Sequence, residues 1–124
     1  MRFSRKVFVA AGIWGVLIMF PLYFLESVIG AQQPPPINHP EYYYGFAGVT
    51  LVWQFLFFLI AARPIEYRTI MLIAILEKLS YGLAAPLLFA AGRVPQVVLL
   101  TSLPDLVWAA LFAISYKKTP AIDG

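Results

Sequence analysis

Four long runs with few or no charged residues dominate this chain and occupy residues 7–25, 42–62, 69–92 and 94–116. The third run is interrupted only by Glu77 and Lys78, and the fourth only by Asp105. A helix of about 20 apolar residues crosses the hydrocarbon core of a bilayer, where every backbone polar group must be bonded inside the protein. The sequence therefore predicts an all-α fold, a bundle of four transmembrane helices, with spans near residues 7–29, 43–62, 69–91 and 96–116.

The composition excludes several classes of protein. Of 124 residues, 61% are hydrophobic and 12% are charged, whereas a soluble domain is about one quarter charged. Cysteine is absent, so disulfide frameworks, thiolate metal sites and cysteine redox catalysis are excluded. The net charge of +3 comes from residues that flank the apolar runs, and we therefore expect no nucleic-acid partner.

The basic residues predict the orientation of the spans. Three of them precede the first span, two lie between the second and third, and two follow the fourth: Arg2, Arg5, Lys6, Arg63, Arg68, Lys117 and Lys118. Only Arg93 lies on the other side among the connecting segments. Because cytoplasmic loops carry the excess of lysine and arginine, we expect both termini to be cytoplasmic and the protein to lie in a bacterial inner membrane.

The connecting segments are short, and we expect a single membrane domain over residues 1–124. The longest connection, residues 32–41, is rich in proline and favours an extended segment. It contains His39, the only histidine, with no second ligand at helical spacing. We expect a solvated loop residue there, and no metal site, cofactor or catalytic residue.

Polar residues of three spans are expected at a similar depth. With a rise of 1.5 Å per residue, Gln54 lies about 14 Å from Arg63 and Glu77 about 14 Å from Arg68, and Asp105 lies about 18 Å from Lys117. A charge in the bilayer interior is costly and usually points to a site or a partner. The sequence thus predicts a polar layer at the membrane midplane.

Within this layer we expect Lys78 to pair with Asp105 across a contact between the third and fourth spans, and Glu77 to face Gln54 or Tyr81. Glu77, Lys78 and Asp105 carry a formal charge of −1 together. In a dry interior Glu77 is expected to hold a proton, or a cation to enter, because desolvation disfavours the charged carboxylate. The alternative is structural pairing alone, since interhelical polar contacts are common and contribute about 0.6 kcal/mol each.

Aromatic and small residues complete the predicted interior. Trp53 and Trp108 are expected to line it, together with Phe57, Phe58 and Phe89, and aromatics at this spacing are more often packing than a ligand cage. Small residues are expected where helices touch: Ala11, Gly15, Gly45, Gly48, Gly82, Ala85, Ser102, Ala109 and Ala113.

Three prolines are expected to bend their helices, namely Pro21, Pro86 and Pro104. Ser102 followed by Pro104 and Asp105 is also typical of a helix start. The fourth span could therefore be continuous or broken at this point.

Two segments carry a resemblance to known families. The sequence EYYYGFAGVTLVWQ in the second span and YRTIMLIAILEKLSYG in the third, followed by PDLVW in the fourth, resemble the small four-helix bacterial membrane proteins of the DoxX-like and BphX-like kind. The resemblance implies the four-helix architecture and little about chemistry. The small multidrug transporters also have four spans, but their carboxylate in the first helix has no counterpart in GIWGVLIMFPL.

Three functions remain open from the sequence. The first is a non-enzymatic membrane protein, either an accessory subunit or a binder of a small apolar molecule at the polar layer. The second is a proton-coupled transporter that works as a dimer, with Glu77 as the titrating group. The third is a lipid or sterol isomerase with Glu77 and Asp105 as acid and base, which no catalytic motif supports.

Expected partners are the lipid bilayer, a homodimer or larger membrane complex, and a small hydrophobic ligand. The residues expected at the ligand or ion site are Glu77, Lys78, Asp105, Gln54, Tyr81, Trp53 and Trp108.

Overall fold

The fold is described by a computed structural model of residues 2–121, and residues 1 and 122–124 of the predicted domain lie outside this range. The described chain is all-helical and contains no strand. Its α-helices are α1 (Arg2–Met19), α2 (Glu26–Gln32), α3 (Pro40–Ala62), α4 (Ile70–Ala90) and α5 (Gln96–Lys118). A 3₁₀ helix, Phe20–Phe24, continues α1.

Four helical segments are long and apolar enough to cross a membrane: Arg2–Phe24, Pro40–Ala62, Ile70–Ala90 and Gln96–Lys118. They carry large apolar side chains on their outer faces, and Leu17, Val52, Leu76 and Leu87 are each more than half exposed. A water-soluble monomer rarely exposes so many large apolar side chains on long apolar helices. The fold is therefore that of a multi-pass membrane protein, as the sequence predicts.

The first membrane helix changes its geometry at Pro21. Because proline has no N–H to donate and its ring crowds the preceding turn, α1 ends at Met19 and the chain tightens into the 3₁₀ helix. This segment ends at Phe24, and the separate short helix α2 follows after Leu25. The helix therefore begins and ends earlier in the sequence than the predicted span at residues 7–29.

A glycine ends α4 and turns the chain toward α5. Gly92 has a φ of 73°, which glycine adopts without the steric cost that other residues have there. Its N–H donates to the carbonyl of Phe89, and the N–H of Arg93 donates to that of Leu88. This pair of bonds is the Schellman motif, which satisfies carbonyls left open at a helix end.

The fourth membrane helix is continuous through Pro104, so the alternative of a broken helix is wrong. The helix begins at Gln96, well before the expected cap at Ser102. The Ser102 hydroxyl donates instead to the carbonyl of Leu99 within the helix. Pro86 is likewise inside α4, and in apolar surroundings continuing the helix keeps the remaining backbone groups bonded.

The described chain forms two compact units. Over the described residues, one contains residues 2–8 and 60–121, and the other contains residues 9–59. In the first unit α4 packs against α5, and the Phe8 ring stacks on Phe112 at a centroid distance of 4.3 Å. In the same unit the Ser4 hydroxyl lies within hydrogen-bond distance of the Thr119 hydroxyl and donates to the carbonyl of Ser115.

Close contacts between α1 and α3 define the second unit. The Gln54 side chain occupies the space where a Cβ atom on Gly15 would lie, and the Phe58 ring does the same at Gly12. Gly15 thus permits the expected close approach. Gly45 does not, because no atom lies within 4 Å of the place of its Cβ.

Candidate functional site

Lys78 is the most deeply buried charged residue of the first unit. It lies on α4 with a side chain only 4% exposed, among buried small or apolar α4 residues such as Ala74 and Gly82. The same helical face carries these residues because they recur at spacings of three and four. A lysine in such a position requires nearby negative charge to remain ionised.

Two carboxylates provide that charge. Nζ of Lys78 lies 3.9 Å from Oδ1 of Asp105 on α5 and 3.8 Å from Oε2 of the adjacent Glu77. The predicted pair between the third and fourth spans is confirmed. The side chain of Glu77 is 16% exposed and that of Asp105 is 22% exposed, so the cluster reaches the edge of the helix pair.

Gly82, one turn after Lys78, brings α5 close enough for this pairing. A Cβ atom at Gly82 would lie 2.9 Å from Cδ2 of Leu106 and 3.4 Å from Cβ of Asp105. A side chain at this position would meet the Leu106 and Asp105 side chains of α5. The glycine thus lies in the α4–α5 contact beside Asp105.

The two ion-pair distances are longer than the 2.7–2.9 Å of a direct charge-assisted hydrogen bond. Oε2 of Glu77 is buried and has no hydrogen-bond partner among the described residues. The three groups also carry one more negative than positive charge. The arrangement can accept a further hydrogen-bond donor, a proton or a cation.

Tyr81 lies one turn after Glu77 on α4, and its hydroxyl is 2.7 Å from the Thr101 hydroxyl on α5. Thr101 in turn donates to the carbonyl of Val98. Thr101 is not predictable from the sequence as a partner of Tyr81, since only the register between α4 and α5 reveals the contact. That Glu77 faces Tyr81 or Gln54 stays a prediction.

The aromatic residues have separate surroundings. The Trp108 ring lies 6.3 Å from the ring of Phe112, which joins it to the Phe8 stack of the first unit. Phe89 is exposed, so its expected interior position is wrong. It lies in the last turn of α4, where its side chain is 39% exposed.

Gln54 and Trp53 belong to the second unit, whereas Glu77, Lys78, Asp105, Tyr81 and Trp108 belong to the first. Gln54 is fully buried, and its Nε2 donates to the carbonyl of Thr50 at 2.7 Å. Its Oε1 is buried without a hydrogen-bond partner among the described residues. The Trp53 ring lies 6.2 Å from that of Phe57. That all seven residues form one layer stays a prediction.

His39 has an exposed side chain, with Nδ1 3.6 Å from Oε1 of Glu41. Its ring stacks on Tyr42 at 4.6 Å. Over residues 2–121, no three histidine, cysteine, aspartate or glutamate side chains form a group able to hold a metal ion. His39 is thus a loop residue with its own local contacts.

Comparison with known proteins assigns no family. No protein-family model, curated protein or solved structure matches this chain. The geometry of the two units is therefore the basis for a functional proposal.

Proposed function

We propose that the chain is a non-enzymatic integral membrane protein that binds a small apolar molecule, or a partner subunit, through the charged cluster of Glu77, Lys78 and Asp105. The observation that carries the proposal is the buried ammonium group of Lys78 between two partly exposed carboxylates at 3.8 and 3.9 Å. Ionisable groups inside a membrane span are expensive and most often functional.

The geometry of the cluster supports an incoming polar group. The ion pairs of Lys78 with Oε2 of Glu77 and Oδ1 of Asp105 are longer than a direct hydrogen bond, and Oε2 of Glu77 has no hydrogen-bond donor among the described residues. A hydroxyl, amine or amide on an otherwise apolar molecule would supply the missing donor. A polar side chain of a partner helix would supply the same chemistry.

The surroundings of the cluster support a molecule or partner that is itself apolar. Leu76 and Leu83 on α4 and Leu103 and Val107 on α5 are exposed near the cluster in sequence. Exposed apolar side chains on both helices of the pair suit a ligand or partner with an apolar surface of its own. We propose in addition that a homodimer or larger complex covers them.

Native mass spectrometry of the full chain extracted in mild detergent tests the proposal. We expect a retained small molecule or a fixed partner subunit, and we expect Glu77→Gln and Asp105→Asn to lose it. Both substitutions preserve side-chain size while removing the charge. Bare, monomeric wild-type protein would contradict the proposal.

Glu66→Gln is the matched control, because Glu66 belongs to the same unit but is exposed and pairs with Arg63 at 3.1 Å. This variant should retain whatever the wild type retains. Equal retention by all three variants would show that the cluster does not bind. A far-UV circular dichroism spectrum and a melting temperature equal to those of the wild type establish that each variant is folded.

The second candidate is a proton-coupled transporter, which the surplus negative charge of the cluster and the orphaned oxygen of Glu77 favour. Neutralisation by a proton or cation would relieve that charge. Proteoliposomes with an entrapped pH dye should then show proton movement on addition of substrate, abolished by Glu77→Gln. Absence of a response to a panel of cationic and neutral amphiphiles would exclude this candidate.

We propose a location in a bacterial inner membrane with both termini in the cytoplasm. The distribution of lysine and arginine supports this orientation. The resemblance of the second and third spans to the DoxX-like and BphX-like proteins supports the same setting, and we propose kinship with them on that basis.

A further inference from the structure

A groove of about 660 Å³ opens in the second unit, away in sequence from the charged cluster. The end of the 3₁₀ helix, the short helix α2, the proline-rich connection and the start of α3 together form its walls. The residues that matter for its chemistry are Tyr23, Phe24, Glu26, Pro36, Ile37 and Tyr44. Its volume is that of a small-molecule site, typically 300–1,000 Å³.

A carboxylate held in a fixed orientation lies in this groove. The Tyr44 hydroxyl donates to Oε1 of Glu26 at 2.9 Å, and the Tyr43 hydroxyl donates to the carbonyl of Leu22. These two bonds attach the start of α3 to the 3₁₀ helix and to α2. Oε2 of Glu26 has no hydrogen-bond partner among the described residues and remains available.

The protein supplies no positive charge to this carboxylate within the unit. All nine lysine and arginine residues lie outside residues 9–59, which contain two glutamates and one histidine. The histidine, His39, is paired with the other glutamate, Glu41. A ligand that complements Glu26 is therefore a cation.

The walls of the groove favour an organic cation over a metal ion. The Tyr23 and Tyr44 rings lie 5.9 Å apart beside the carboxylate, and aromatic faces attract ammonium groups. Phe24, which is 72% exposed, and the side chains of Pro36 and Ile37 add apolar surface. A carboxylate with aromatic and apolar neighbours matches an ammonium group carried on an apolar chain.

The position of the groove favours the same chemistry. Glu26 follows directly on the first membrane segment, which ends at Phe24, and Tyr44 lies in the first turns of the second, which begins at Pro40. The end of the first span and the start of the second are expected at the boundary between apolar lipid chains and polar headgroups. At such a boundary, a molecule with a charged head and an apolar tail keeps its head toward water and its tail toward lipid. This is the orientation that would bring its charge to Glu26.

From these observations we infer that the Glu26 groove is a binding site for a primary or quaternary ammonium group attached to an apolar chain. Two sources share this chemistry, namely the amino headgroup of a phospholipid and a free cationic amphiphile. In either case Glu26 neutralises the cation, Tyr44 orients the carboxylate, and Tyr23 and Phe24 contact the ligand beside its charge.

Titration calorimetry of the full chain in dodecylmaltoside micelles tests the inference with dodecylammonium as the free amphiphile. Glu26→Gln keeps the acceptor for Tyr44 but removes the charge, and should weaken binding at least about tenfold, as expected for a charge-assisted hydrogen bond. Glu41→Gln is the control, since it removes the other carboxylate of the same unit outside the groove. Equal affinities for wild type, Glu26→Gln and Glu41→Gln would overturn the inference for the free amphiphile.

A second arm tests the lipid source. In nanodiscs of mixed phosphatidylethanolamine and phosphatidylglycerol, the wild type and Glu41→Gln should retain phosphatidylethanolamine through native mass spectrometry, and Glu26→Gln should not. Dependence on Glu26 in either arm supports the site and identifies its ligand source, and independence in both arms overturns it. Dodecanol, which lacks the charge, should not distinguish the three proteins. These variants leave Glu77 and Asp105 unchanged, so the result is separate from that of the proposed function.

Discussion

Lys78 illustrates how strongly a single residue constrains this chain. Its ammonium group is nearly inaccessible, and the nearest opposite charges are those of Glu77 and Asp105. Removing one partner of a buried ion pair leaves an uncompensated charge, which costs more than the pair contributes. Lys78 therefore couples the stability of the α4–α5 contact to the charge of the Glu77 and Asp105 carboxylates.

Lys78→Met should lower the free energy of unfolding by about 3 kcal/mol, because it leaves two neighbouring carboxylates without a cation. Chemical unfolding in lipid–detergent micelles, followed by circular dichroism, measures the change. Adding Asp105→Asn should recover part of the loss. Lys117→Met, which removes an exposed lysine from α5, is the control, and a loss equal to that of Lys78→Met would contradict the prediction.

The charges of this cluster were predictable from the sequence, because a charge inside an apolar run must be paired and the short turn after α4 makes α5 its neighbour. The contact between Tyr81 and Thr101 was not, since it depends on the register of two helices whose hydroxyl groups could equally bond their own backbone. The hydrogen bond of Glu26 was likewise not predictable from the sequence. This bond to Tyr44 joins α2 to α3 and depends on the conformation of the chain between them, which the residue pattern does not specify.

Among the helices, α5 depends on an arginine for its C-terminal end. Arg68 Nε lies 2.6 Å from the carbonyl of Thr119 and 3.1 Å from that of Tyr116. Its guanidinium group also stacks over the Tyr116 ring at 3.7 Å. Positive charge and donors at a helix C-terminus satisfy carbonyls that have no partner in the helix.

Arg68→Lys should therefore cost about 1–2 kcal/mol of stability despite preserving the charge, since an ammonium group lacks the planar fork and the stacking face. Hydrogen exchange of the last turn of α5 should accelerate. Arg63→Lys, at an exposed pair with Glu66, should change neither quantity. A protected last turn in Arg68→Lys would show that other contacts hold this end.

Gly15 allows α1 and α3 to lie close together. Gly15→Ala would place a methyl group in the space of the Gln54 side chain, and overpacking of this kind costs about 1–3 kcal/mol. Gly45→Ala on α3 meets no atom within 4 Å and should be neutral or stabilising by up to about 1 kcal/mol through helix propensity. Thermal unfolding of the two variants gives the comparison, and equal melting temperatures would contradict the close contact.

The number and type of the membrane-spanning helices followed from the sequence, while their ends and the separate short helix α2 did not. The apolar runs predicted four spans, but α1 begins at Arg2 because basic side chains are accommodated in a first helical turn that extends beyond the apolar run. Pro104 left two alternatives open, and the continuous helix prevailed since an interrupted one would leave further backbone groups unpaired in lipid. Phe89 was misplaced because hydrophobicity does not distinguish a side chain that faces lipid from one that faces a neighbouring helix.

At the scale of the whole molecule, the absence of cysteine makes the orientation directly measurable. Asn38→Cys introduces a thiol in the connection before α3, and Ala121→Cys introduces one after α5; both positions are exposed. A membrane-impermeant maleimide should label Asn38→Cys in intact cells and Ala121→Cys only after permeabilisation, because the basic residues favour a cytoplasmic C-terminus. The opposite pattern would reverse the proposed orientation.

The contact between Ser4 and Thr119 has a practical consequence for studying this protein. Dyes attached next to these two positions would lie within a few nanometres of each other in the native state and separate when the first unit opens. Resonance energy transfer between them would then report the integrity of that unit in single molecules, without removal from the bilayer.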